Sequence, residues 1–210
     1  MQLSSRSKVG FLFSLVVLLA IVGAFTLNAS LQSHASHAAS TTSAPKEFEF
    51  KMVPSSPAIK ACLPHARAEV EITRGAVNQL MEVQVKGLVP NTGFALFVIQ
   101  LPHPPFGISW YQSDMETNAQ GEGRVSVRGI FDVETFSLSP GGPTTTFAPT
   151  HQYHLGIWFG DPQTPFDKGC EPGATQPIVT PFDGDQIAGP QVLNTSNFPD
   201  NAGPLSHVQP

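Results

Sequence analysis

Charge is the scarcest property of this chain. Only 13% of its 210 residues are Asp, Glu, Lys or Arg, with a formal net charge of −5. The 11 basic residues are scattered and form no run, so the sequence offers no electrostatic footprint for nucleic acid or for an anionic membrane surface. Cysteine is rarer still: Cys62 and Cys170 stand alone, without CxxC spacing, which argues against a zinc site built on thiolates. The nucleophile elbow GxSxG and the zinc motif HExxH are both missing, which removes two well-marked hydrolytic chemistries. Gly121 and Gly123 lack the third glycine and following helix of a dinucleotide fingerprint, so they read as a turn. No internal repeat, low-complexity tract or convincing amphipathic helix is visible, and no cofactor is implied.

Proline and glycine are abundant, at 20 and 18 residues, and Phe, at 15, outnumbers Tyr and Trp. Such a composition suits short strands joined by turns and irregular loops rather than a helical bundle. At the N-terminus, Arg6 and Lys8 precede an uncharged, mostly apolar run from Val9 to Leu27, followed by small residues in SLQSHASHAAS. This is the order of a secretory signal peptide, with cleavage sites after Ala35, Ala38 or Ala39. The alternative is an uncleaved N-terminal hydrophobic helix, since about 20 apolar residues span a bilayer, and the leading basic residues would keep that end in the cytoplasm. On either reading the domain is exported. It is secreted, or it is tethered to the outer face of the cytoplasmic membrane, with membrane contact only through this segment. An even cysteine count in an exported chain predicts a Cys62–Cys170 disulfide.

The division expected is a signal peptide or anchor over residues 1–39, a linker over 40–45, a β-sandwich domain over 46–180 and an irregular C-terminal tail over 181–210 that packs on the domain. Lys46 to Val53 alternates apolar and polar residues, as does Arg67 to Thr73, where Ala68, Val70 and Ile72 share a face. Met81, Val83 and Val85 repeat the pattern after a Gly/Asn-containing loop, which predicts an antiparallel hairpin. Phe94 to Leu101 is apolar on both faces, so this strand needs a second cover. The tail is the nearest source of one. A stiff PHPPFG loop follows, with prolines that forbid a central strand. Trp110 to Thr117 resumes the strand pattern, a phase slip near Glu134 predicts a bulge or a strand crossing between sheets, and His151 to Phe159 is the last strong strand. The block from Met81 to Arg128 reads as a meander that the chain ends close around. The fold class expected is all-β: an antiparallel, immunoglobulin-like β-sandwich with long Pro/Gly-rich loops.

At GLVPNT and FALFVIQ, then at SWYQSDMETNAQGEG, the chain resembles uncharacterised exported bacterial β-sandwich proteins of immunoglobulin-like type. In those, a GLxPNT-like turn and a TxxxGxG-like turn flank a pair of core strands. The resemblance covers about residues 70 to 133 and consists of turn chemistry. It implies the fold and export, and it carries no catalytic residues.

Several constellations bear on function. His151 and His154 stand three apart, with His103 a third potential metal ligand and His65 a further one, but odd spacing on a strand puts the pair on opposite faces. Asp114 and Glu116 would share a strand face roughly 7 Å apart, a separation that paired glycosidase acids use and that any solvated face also shows. Oxygen donors in the tail, among them Asp183, Asp185, Asn194, Asn197 and Asp200, suit calcium, and turn formation accounts for them equally well. The aromatic group of Phe106, Trp110, Tyr111, Trp158 and Phe166, with His103, would form a rim able to anchor a ligand. The first reading is therefore a non-catalytic exported module that binds an unknown protein or carbohydrate at the cell surface or envelope, or serves there as structure. The alternatives are a metal-binding protein or metal-dependent enzyme using His103, His151 and His154, and a glycoside-type hydrolase using Asp114 and Glu116.

Overall fold

The structure is a computed structural model that describes residues 47–131, 136–138, 141–147, 153–183 and 186–208. The expected leader and linker, His151, Asp185 and the slip near Glu134 lie outside these residues. In chain order the elements are β1 (Glu47–Pro54), α1 (Pro57–Cys62), β2 (Arg67–Arg74), β3 (Gln79–Lys86), β4 (Gly93–Ile99), β5 (Ser109–Glu116) and β6 (Gly123–Gly129). They continue with β7 (Phe136–Leu138), β8 (Thr145–Phe147), β9 (His154–Phe159), α2 (Gln163–Asp167), β10 (Thr180–Asp183), β11 (Gln186–Ala188) and β12 (Gln191–Asn194). A short 3-10 turn, Pro204–His207, comes last.

Eight strands form one sheet in the order β5-β4-β9-β12-β1-β2-β3-β6, and all its pairings are antiparallel. β1 joins its two halves. Its first residues, Glu47 to Met52, run against β2, while Val53 and Pro54 pair with β12. The outermost strands, β5 and β6, follow each other in sequence and lie in contact, so the sheet is nearly closed into a barrel. Period-2 alternation places the core. Ala68, Val70 and Ile72 stand opposite Val85, Val83 and Met81, all buried, and the intervening row is polar and solvated. Each Val, Ile or Met among them contributes about 1.5–3 kcal/mol when buried from water.

The chain does not run as a meander from Met81 to Arg128. β3 pairs with β6, whereas β4 pairs with β5 and β9. The segment from Gly87 to Thr92 crosses the end of the barrel instead of making a hairpin, and it is held there by the β5–β6 turn. Leu88 N–H donates to Gly121 O (3.1 Å), Asn91 N–H to Asn118 O (3.2 Å) and Thr92 N–H to the Thr117 hydroxyl (3.0 Å). That hydroxyl donates in turn to Val89 O at 2.6 Å. The two turn motifs quoted above are thus hydrogen-bonded to each other. Gly121 has φ +73°, and a Cβ there would lie 2.2 Å from Leu88 O.

The segment beyond residue 181 is not irregular. It supplies β11 and β12, and β12 inserts between β9 and β1 with all four residues buried. Only Val192 and Leu193 are apolar there, and the flanking Gln191 and Asn194 conceal a central strand from a hydrophobicity reading. Those polar groups are accommodated by side-chain bonds: the Asn194 amide donates to Pro102 O and to Gln191 Oε1, both at 2.9 Å. β4 is two-faced as its sequence requires. Phe94, Leu96 and Val98 join the main core, while Ala95, Phe97 and Ile99 form a second cluster with Trp158, Ala188 and Phe106. Its cover comes from β9, from β11 in the tail and from the proline loop.

Candidate functional site

On the outer face of β9 and β12 lies a cleft of about 430 Å³. The proline loop forms one wall with His103, Pro104 and Phe106, and Trp158 and Gln191 lie at its base. The loop is fixed at its root: Gln100 N–H donates to Ile108 O (2.7 Å), Leu101 N–H to Phe106 O (2.9 Å) and Ile108 N–H to Gln100 Oε1 (3.1 Å). Phe106 meets Trp158 edge to face at 5.1 Å between ring centres.

The opposite wall is built from α1 and the segment after Cys170. α1 starts where Ser56 caps it, its hydroxyl accepting from Ile59 N–H at 3.2 Å, with Pro57 fixing φ in the first turn. The Cys62–Cys170 disulfide joins the end of α1 to this wall across 108 residues of sequence, with Cα atoms 5.0 Å apart. Cys170 itself lines the cleft, and the next residue, Glu171, is only 8% exposed. Glu171 Oε2 accepts from Ile178 N–H at 2.9 Å, but its Oε1 has no hydrogen-bond partner. Gln191 Nε2, also in the cleft, is likewise buried and without one. A buried acceptor and a buried donor left unmade each cost about 1–3 kcal/mol, and their coincidence in one apolar cleft makes it the candidate site.

Of the expected rim, His103, Phe106 and Trp158 meet here, and the other three do not. Trp110 turns inward against Tyr153, 4.9 Å between ring centres, Tyr111 packs on Phe97 at 5.7 Å, and Phe166 sits half-buried on α2. The cause in β5 is a bulge. Tyr111 stands opposite Phe97 and Ser113 opposite Leu96, so Gln112 is the extra residue. Strict alternation would put Trp110 and Asp114 on one face; the bulge sends the first inward and the second outward.

The remaining constellations are dispersed. His154 is fully buried, its Nδ1 accepting from the Thr195 hydroxyl (2.9 Å) and its Nε2–H donating to Asp200 O (3.3 Å). Burial holds its imidazole below the ordinary histidine value, against the opposing pull of Asp200 and Thr195. His103 is exposed on the cleft wall, and among the described residues no three His, Cys, Asp or Glu side chains gather to hold a metal. Asp114 and Glu116 are both exposed on the outermost strand β5, without the burial that separates an acid from a base. Among the tail's oxygen donors, the Asn194 amide is committed as above and Asn197 donates to Lys51 O at 3.2 Å.

A larger hollow, about 550 Å³, lies on the outer face of β1–β3 among Glu49, Lys51, Glu69, Glu71 and Glu82. These are the polar residues of the alternating strands, and Glu82 is paired with Arg124. It is a solvated sheet face curved by the barrel, with no buried group awaiting a partner among the described residues. Glu171 and Gln191 were not visible in the sequence as site residues; the one signal was the position of Glu171 directly after a bridged cysteine. No family model, curated protein or solved structure matches the chain.

Proposed function

We propose that this chain is an exported, non-catalytic β-domain of immunoglobulin-like sandwich type that binds a ligand in the proline-walled cleft at the cell surface or envelope. The observation that carries the reading is the pair of unsatisfied buried polar atoms, Glu171 Oε1 and Gln191 Nε2, in a cleft floored by Trp158 and edged by Phe106. Export rests on the charge and hydropathy order of the N-terminal 39 residues, and the sandwich on the paired turn motifs. The cleft is stiffened before binding: a disulfide holds one wall and proline the other, which lowers the entropy lost when a ligand orders its site.

The test uses the cleft tryptophan. The chain has two, Trp110 and Trp158, so Trp110→Phe leaves Trp158 as the single reporter. A panel of sugars, amines and short peptides should contain members that shift its emission, and Phe106→Ala should weaken them. Silence across the panel, from protein that still melts cooperatively, sinks the reading. Stoichiometric zinc or copper in untagged protein would put the alternative metal reading in first place.

A further inference from the structure

Resting on that cleft, we infer that its ligand is an organic cation: an ammonium group attached to an apolar body that also presents an acceptor oxygen. Glu171 determines the sign. The residue is buried to more than nine-tenths, one side-chain oxygen is satisfied only by a backbone N–H, and the other has no partner. A buried carboxylate in that state calls for a cation or strong N–H donors. Among the described residues the protein supplies no cation and only the Ile178 N–H: the one ion pair there joins Arg124 and Glu82 on β6 and β3. Among the described residues no Lys or Arg lines the cleft, and the one basic side chain there, His103, is exposed and makes no pair with Glu171.

An ammonium donates to Glu171 Oε1 in a charge-assisted bond, roughly twice as strong as a neutral one. Gln191 Nε2–H then donates to the ligand's oxygen. The body rests on Phe106, Ile178 and Pro172, the apolar surface around these two groups. A neutral polyol could also satisfy both orphans, but it would leave the charge uncompensated and cover the apolar walls poorly.

Phenylalaninol at neutral pH carries an ammonium, a hydroxyl and a phenyl ring, and N-acetylphenylalaninol replaces the ammonium with a neutral, bulkier amide. Calorimetric titration of the disulfide-intact chain should show phenylalaninol binding, with at least about a tenfold loss on acetylation and a similar loss in Glu171→Gln. The glutamine keeps an acceptor for Ile178 N–H and removes the buried charge, so unliganded Glu171→Gln should melt at the same temperature as the parent or higher. Equal binding of the acetylated compound overturns the inference, as does binding of methyl glucoside in place of phenylalaninol. Both of those results leave the cleft itself standing as a binding site. Absence of phenylalaninol binding at millimolar concentration overturns the inference too, and the wider panel then decides separately whether the cleft binds anything. A Glu171→Gln variant that melts several degrees lower would make the carboxylate a structural group and overturn it as well.

Discussion

Replacing Thr117 by Val tests whether the two docked turns hold the barrel end together. The side chains are nearly the same shape, so the change removes a hydroxyl and little else. Thr117 is 5% exposed, its hydroxyl accepts from Thr92 N–H at 3.0 Å and it donates to Val89 O at 2.6 Å. With Val, a buried N–H loses its acceptor and a buried carbonyl loses its donor. Each is worth about 1–3 kcal/mol when water cannot take the vacated place. The backbone bonds Leu88–Gly121 and Asn91–Asn118 survive, so the turns stay docked. The expected loss is about 2–6 kcal/mol. For a chain of this size, about 2–4 °C of Tm accompanies each kcal/mol, so Thr117→Val should melt about 4–24 °C below the parent by calorimetry. Thr117→Ser keeps the hydroxyl and loses one methyl, about 1 kcal/mol. If the two variants melt within a degree or so of each other, the hydroxyl is not what joins the turns.

Other outcomes follow from single features. Gly121→Ala combines a left-handed φ of +73° with a 2.2 Å approach to Leu88 O, whereas Gly141→Ala, at φ +85° and with open space around it, adds only conformational strain. Calorimetry should find Gly121→Ala the more destabilised of the two by more than about 1 kcal/mol. For His154, the native imidazole titrates below the unfolded value of 6.5, so between those values the unfolded chain holds more protons and stability falls as pH falls. The Tm of the parent should therefore drop more steeply on acidification below about pH 6.5 than that of His154→Gln; parallel curves would exclude it as the acid-sensitive group. Reducing the Cys62–Cys170 bridge releases a 108-residue separation, worth about 4–5 kcal/mol on the chain-entropy account. An unchanged urea midpoint after complete reduction would contradict that.

What the sequence disclosed followed the strength of its local patterns. β2 and β3 were legible because every second residue is apolar and one face is wet, so period and burial coincide. The two-faced apolar run of β4 announced its need for a second cover, and Phe106 and Ala188 supply part of it. β12 was illegible for the opposite reason: its ends are Gln191 and Asn194, whose burial depends on partners such as Pro102 that are distant in sequence. The rim failed at Trp110 because one extra residue in β5 inverts a side chain without leaving any mark in composition. Glu171 was missed because an acidic residue beside proline and glycine looks like a loop residue. Its burial emerges only in the fold, next to the bridged Cys170 and with Ile178 N–H brought to its carboxylate.

The late position of β12 has a consequence for how the domain reaches its native state. Ser55 and Gln191, joined by a hydrogen bond across the β1–β12 seam, are 136 residues apart. Without β12, β9 presents an open row of backbone donors and acceptors, the end of β1 at Val53 and Pro54 is unpaired, and no strand pairing links the two halves of the sheet. Pairing this non-local is slow to form, and the waiting edges are sites where a foreign strand can add. If the chain is exported N-terminus first, as proposed, the sheet stays open until β12 has emerged. A peptide with the β12 sequence, supplied in trans to a chain ending before Gln191, should occupy the same slot and restore a cooperative melt.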